Sequence, residues 1–162
     1  MAKQKEEKTN VMRVLEQKKI PYTAHTYAHE EGVAVDGVTV AATLGQDPEC
    51  VFKTLVARGA SKGIYVYEVP VAENLDLKKA ARAVGEKSIE LLHVAEINDV
   101  TGYIRGGCSP IGMKKQFPTV LHETALDFDT IDVSGGKIGV SVELSPKDLM
   151  TLVRGTAADI IV

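Results

Sequence analysis

Val51-Phe52-Lys53-Thr54-Leu55-Val56-Ala57-Arg58, followed across Gly59-Ala60-Ser61-Lys62 by Gly63-Ile64-Tyr65-Val66-Tyr67-Glu68-Val69-Pro70, is the stretch that decides the fold. Both runs are rich in β-branched and aromatic residues, and the small, polar joint between them reads as a hairpin turn. Apolar residues fall on both faces of the first run, Val51, Leu55 and Ala57 on one and Phe52 and Val56 on the other. A strand of that kind is covered from both sides and belongs in the middle of a sheet.

On the N-terminal side, residues 9–19 read as an amphipathic helix capped by Thr9 or Asn10, with Val11, Val14, Leu15 and the stem of Lys18 on one stripe. Pro21 stops it. Residues 22–27 read as a short strand and 38–44 as a second helix ending at Gly45, before the turn at Asp47-Pro48-Glu49-Cys50. On the C-terminal side, residues 76–84 read as a helix with Leu77, Ala80, Ala81 and Val84 inward, 88–93 as a strand, and 94–100 as a short helix or turn. Residues 101–105 read as a strand, and residues 119–126 follow as the next run. Arms at 129–134 and 138–144 form a hairpin turned by Gly135-Gly136-Lys137. Ser145 and Pro146 open a last helix as cap and first residue. Residues 158–162 close the chain as a strand. Strands outnumber helices and do not alternate with them strictly, so the expected class is α+β, with a mixed, strongly bent, barrel-like sheet and flanking helices.

The 162 residues suit a single domain spanning 1–162, and 44% hydrophobic with 25% charged residues is ordinary for a globular protein. No apolar run approaches the roughly 20 residues of a membrane span. The charged start, Met1-Ala2-Lys3-Gln4-Lys5-Glu6-Glu7-Lys8, lacks the apolar segment of a secretory leader. Cys50 and Cys108 form no motif and are expected to be reduced thiols in a cytoplasm. A net charge of −3 argues against a broad nucleic-acid grip and allows contact with only a small part of one.

Two features stand out as candidate chemistry. Gly106-Gly107-Cys108-Ser109-Pro110-Ile111-Gly112, followed by Lys114-Lys115, is too rich in glycine for a regular element. Such a loop can aim several N–H groups at one carbonyl or phosphate oxygen, or it can be a tight turn and nothing more. Ser109 lacks a nucleophile elbow around it and reads as a turn-former or hydrogen-bond donor. Lys53 is the second feature, because alternation places it on the face of Val51 and Leu55. It either snorkels to water or holds its ammonium at a pocket mouth, where it would grip a phosphate, a carboxylate or an oxyanion. The four histidines, His25, His29, His93 and His122, have no metal-ligand spacing, so neither metal nor cofactor is expected. Cys108 lacks a neighbouring base, and Gly135-Gly136-Lys137 with Gly139 reads first as hairpin chemistry and second as a pocket wall.

Taken in order, Phe52-Lys53-Thr54, Leu75-Asp76-Leu77-Lys78-Lys79, Thr101-Gly102-Tyr103, Gly106-Gly107 with Ser109-Pro110-Ile111-Gly112, and Val133-Ser134-Gly135-Gly136-Lys137 resemble the bacterial YbaK/EbsC family of aminoacyl-tRNA deacylases, and within it the Cys-tRNA(Pro) deacylases. The likeness runs from about Val11 to Ile160. It implies a free-standing editing domain, similar to the one inserted in prolyl-tRNA synthetases. Such a domain clears a mischarged tRNA, with prolyl-tRNA synthetase as partner, because an apolar pocket separates near-isosteric side chains by only about 1–3 kcal/mol. The resemblance assigns Lys53 to the tRNA 3′ end, Gly106 and Gly107 to the loop that holds the ester, Ser109 to a place beside it, and Tyr27 to the pocket. Thr54, Cys108, Pro110, Gly135, Gly136 and Ser141 fall in or next to the same motifs and complete the expected substrate-binding set. Asp36 stands where relatives carry an aromatic residue, and Ser141 where many carry aspartate. The implied mechanism is substrate-assisted, the cysteine thiol attacking its own ester. Two alternatives stay open: water attack on alanyl or another small aminoacyl ester, and a non-catalytic synthetase-binding module.

Overall fold

A computed structural model describes residues 8–162, and the charged start at 1–7 lies outside them. In chain order the elements are α1 (Asn10–Gln17), β1 (Tyr22–Thr26), α2 (Gly37–Thr43), β2 (Phe52–Gly59), β3 (Ile64–Pro70), α3 (Leu77–Val84), β4 (Ile89–Leu91), α4 (Val94–Thr101), β5 (Thr119–His122), β6 (Ile131–Lys137), β7 (Val140–Leu144), α5 (Pro146–Val153) and β8 (Thr156–Ala158). Two 3₁₀ turns, Pro48–Cys50 and Glu123–Asp127, complete the path.

β2 and β3 pair antiparallel from Phe52 opposite Pro70 to Arg58 opposite Ile64. They are the centre of a five-stranded sheet ordered β4-β2-β3-β5-β8, in which β5 runs parallel to both β3 and β8. The sheet is therefore mixed and the class is α+β. A second sheet, β1-β7-β6, is antiparallel throughout. The sheets meet where Val51, just ahead of β2, makes a parallel bridge to Asp132 on β6.

Local chemistry explains the helix ends. Thr9 accepts the Met12 N–H, Asp76 accepts those of Lys78 and Lys79, and Ser145 accepts that of Asp148, each satisfying amide groups that a first helical turn leaves open. The main core joins α1 (Val11, Leu15) and α5 (Leu149, Val153) to β6 and β7 (Ile131, Val133, Val142, Leu144) and to Phe52 and Val56 of β2. A second cluster packs Ala80 and Ala81 of α3 on Ala57, Tyr67 and Val69. On α1, Met12 is buried and Lys18 is exposed, so the inward stripe includes the methionine and not the lysine stem; Leu77 of α3 is exposed as well.

Three expected elements differ. Residues 101–105 are not a strand: α4 continues through Thr101, and Gly102, at φ +87°, ends it in the left-handed conformation that glycine reaches freely. The glycine-rich loop therefore leaves a helix end. Gly135-Gly136-Lys137 is not the β6–β7 turn. It lies within β6, where pairing shifts between Ser134 and Lys137, and the chain reverses at Ile138-Gly139. The last strand is Thr156–Ala158, two residues early, because pairing with β5 and not apolar run length selects it.

Candidate active site

The gap between the two sheets holds a cavity of about 150 Å³. One wall is the start of β2, Val51 through Thr54, with Val71 beyond β3. Another wall is β6 and β7, through Asp132, Val133, Ser134 and Ser141. Tyr27 past β1, Val35, and Gly37 and Val40 of α2 close one side, and Gly106 and Cys108 close the other. Lys53, Gly106 and Cys108, singled out by their residue chemistry, and Tyr27, Thr54 and Ser141, added by the family resemblance, thus line one space.

Lys53 is half-buried, and its Nζ reaches the Val71 carbonyl at 3.5 Å. Burial lowers its pKa, and Asp36 and Glu73 act in the opposite direction. The ammonium is therefore held at the cavity and not released to bulk solvent. Next to it, the Thr54 hydroxyl donates to Glu68 Oε1 at 3.1 Å. Glu68, opposite Thr54 on β3, is fully buried, and desolvation pushes its carboxyl well above the usual range. The Tyr27 N–H donates to the Gly139 carbonyl at 2.9 Å, pinning β1's exit to the β6–β7 turn.

The two glycine-rich segments touch. A Cβ on Gly107 would lie 3.1 Å from both the Lys137 Cα and the Ile138 nitrogen, which are main-chain atoms that cannot swing aside. A Cβ on Gly106 would meet the Ala34 Cβ at 2.7 Å, and Gly106 sits at φ +86°. Both glycines are required by close approach and, at Gly106, by conformation. The Gly107 N–H donates to the Ile104 carbonyl at 3.0 Å and is committed there. Ser109 is fully buried with its Oγ accepting the Ile111 N–H, so it shapes the loop, and Pro110 is buried beside it. Gly135 packs on Val140, and Gly136 on Val11 and Tyr103; neither faces the cavity.

Burial pushes the Cys108 thiol up to about 12, with Glu68 adding to the shift, so at neutral pH it carries its proton. No histidine is among the described residues that line the cavity. Asp132 is the residue that sequence reasoning missed. It is 1% exposed and faces the cavity, and its pKa is raised to about 6 by burial, which Ser141, His25 and Gln46 only partly offset. Its one legible signal is a charge at an inner position of an apolar strand, flanked by Ile131 and Val133.

The model of the aminoacyl-tRNA editing domain matches residues 32–152. The chain belongs to the aminoacyl-tRNA editing domain family. It is 47% identical over 161 residues to an Enterococcus faecalis protein named "Putative Cys-tRNA(Pro)/Cys-tRNA(Cys) deacylase EbsC", covering 99% of this chain and 98% of that one. Among solved structures, a "putative trans-editing enzyme for prolyl tRNA synthetase" superposes with a TM-score of 0.80 at 25% identity, over 94% of this chain and 95% of that one. The hypothetical protein APE2540 shares the fold, with a TM-score of 0.84 over 95% of this chain and 100% of that one, at 21% identity. An editing domain removes amino acids from mischarged tRNA, and this chain is accordingly an aminoacyl-tRNA deacylase of the YbaK/EbsC kind. No helix among the described residues is long and apolar enough to cross a membrane.

Proposed function

We propose that this chain is a single, free-standing editing domain that clears cysteine from tRNA(Pro), and from tRNA(Cys) when presented, by letting the substrate's own thiol attack. The observation that carries this is the cavity's inventory among the described residues: one ammonium at Lys53, one carboxyl at Asp132, the Gly106 peptide, several hydroxyls, and a Cys108 thiol that keeps its proton. Six apolar residues (Val35, Val40, Val51, Phe52, Val71 and Val133) leave room for a small side chain and exclude a large one.

In this mechanism Lys53 holds the phosphate of the terminal adenosine, and the main chain at Gly106–Cys108 faces the ester carbonyl. The thiol sulfur adds to the carbonyl carbon, the tetrahedral oxyanion is stabilised by loop amides other than that of Gly107, and the bond to the ribose oxygen breaks. The thiol proton ends on that ribose hydroxyl and cysteine leaves as a thiolactone. Holding thiol and carbonyl in contact supplies most of the acceleration, so the protein needs no base. The acidic chain touches only the tRNA terminus; prolyl-tRNA synthetase is the partner that holds the rest, in the cytoplasm.

The test is a panel of Cys-tRNA(Pro), Cys-tRNA(Cys), Ala-tRNA(Pro) and Ser-tRNA(Pro) with purified protein. Turnover of the cysteinyl esters with none of the seryl ester supports thiol attack. Faster turnover of Ala-tRNA(Pro) moves the assignment to water attack on alanyl esters. No turnover, with a retained synthetase complex, makes the chain a binding module.

A further inference from the structure

The cavity wall carries one basic residue and one acidic residue among the described residues, Lys53 and Asp132, and they sit at different depths. Lys53 is half-buried, at the mouth. Asp132 is 1% exposed, at the floor. Its Oδ1 has no hydrogen-bond partner among the described residues, and neither has the Oγ of Ser141 on the neighbouring strand. Both groups face the cavity.

The charged groups around Asp132 have other partners. Glu143, its cross-strand partner on β7, accepts from His25 Nε2 at 2.8 Å, from Gln46 Nε2 at 3.3 Å and from Thr130 at 2.5 Å. His25 on β1 is thereby turned to Glu143. The Lys53 ammonium leans to the Val71 carbonyl, and the carboxylates that act on it are Asp36 and Glu73. From β2, Val51 bridges to the Asp132 backbone and brings no charge. A buried carboxylate is costly, and His25, which is paired with Glu143, offsets only part of that cost. A ligand cation at the free Oδ1 would offset more of it.

We propose that Asp132, with Ser141 beside it, receives the α-ammonium of the esterified amino acid, so that the site accepts only esters whose amine is free. This rests on the deacylase function above. An aminoacyl-adenosine terminus has its cation on the amino acid and its anions on the phosphates. The cavity has its acceptor deep and its ammonium at the mouth, so the charge pair fixes which end enters first. Peptidyl and N-acylated esters lack the cation and are refused, which spares tRNAs already engaged in chain synthesis.

The experiment compares whichever panel ester turns over fastest with its α-hydroxy isostere, in which a neutral hydroxyl replaces the ammonium (lactyl-tRNA in the alanine case). Each rate is divided by spontaneous hydrolysis of the same ester. Wild-type protein should prefer the amine by roughly thirtyfold or more, the range of a charge-assisted bond. Asp132→Asn should bring that preference to within about threefold, mainly by slowing the amine ester. An Asp132→Asn protein that slows both esters equally, with the preference intact, overturns the proposal and leaves the deacylase function standing. Wild-type protein that cleaves no aminoacyl ester overturns that function and this proposal together.

Discussion

Replacing Asp132 by asparagine should stabilise the folded protein at neutral pH, and the size of the gain follows from its surroundings. Burial raises the folded-state pKa to about 6 from an ordinary 3.8. The folded protein therefore binds that proton more tightly than the unfolded chain does. Below pH 3.8 the group is protonated in both states and its ionisation carries no cost. As pH rises from 3.8 to 6 the unfolded chain gives up the proton first and folding loses stability; above 6 the loss is complete. A rise from 3.8 to about 6 is worth about 3 kcal/mol. Asparagine keeps the shape and removes the charge. At about pH 7.5 the variant should be roughly 3 kcal/mol more stable than wild type, melting about 6 °C or more higher. Most of that gap should close between pH 6 and pH 4. Urea denaturation followed by far-ultraviolet circular dichroism at several pH values measures it, the chain having no tryptophan to follow by fluorescence. A variant equal to or weaker than wild type at neutral pH, or a gap that does not change with pH, would refute the reasoning that Asp132 is an uncompensated buried carboxylate.

Lys53→Ala should cost about 2 kcal/mol or more of transition-state binding, at least roughly thirtyfold in kcat/KM, with the melting temperature within a few degrees of wild type. Gly107→Ala should destabilise by about 1–3 kcal/mol and lower activity with it, because the new methyl would press on the main chain of Lys137 and Ile138; calorimetry and the deacylation assay together check this. Asp76→Ala, which removes the cap of α3 far from the cavity, should cost about 1 kcal/mol in denaturant unfolding and leave deacylation unchanged.

The β2–β3 hairpin and four of the five helix starts are legible in sequence because their signals are local: β-branched runs around a small turn, and serine, threonine or aspartate at caps. The site is half legible. Lys53 shows itself as a charge on an apolar face, and Gly106 by glycine density. The purpose of Gly107 is not legible, since the backbone it abuts is some thirty residues away. Asp132 escapes for a related reason. By two-residue alternation it lies opposite Ile131 and Val133, on a face that an edge hairpin would turn to solvent, yet α2 and the start of β2 enclose the cavity on that face and leave Asp132 buried. Residues 101–105 mislead because Tyr103 and Ile104 look strand-like while Gly102 is a helix stop. Gly135-Gly136 misleads because paired glycines serve a bulge as well as a turn.

The abutment of Gly107 on the end of β6 fixes, through peptide bonds alone, the loop whose Gly106 and Cys108 line the cavity. Drift in side chains cannot reshape that contact, and it cannot be trimmed to admit a different substrate. Any retuning of what the enzyme cleaves has to run through the facing strands and α2, at positions such as Val40, Asp132, Ser134 and Ser141. A library confined to those four should change which amino acid is released, whereas randomising the loop should mostly yield chains that do not fold.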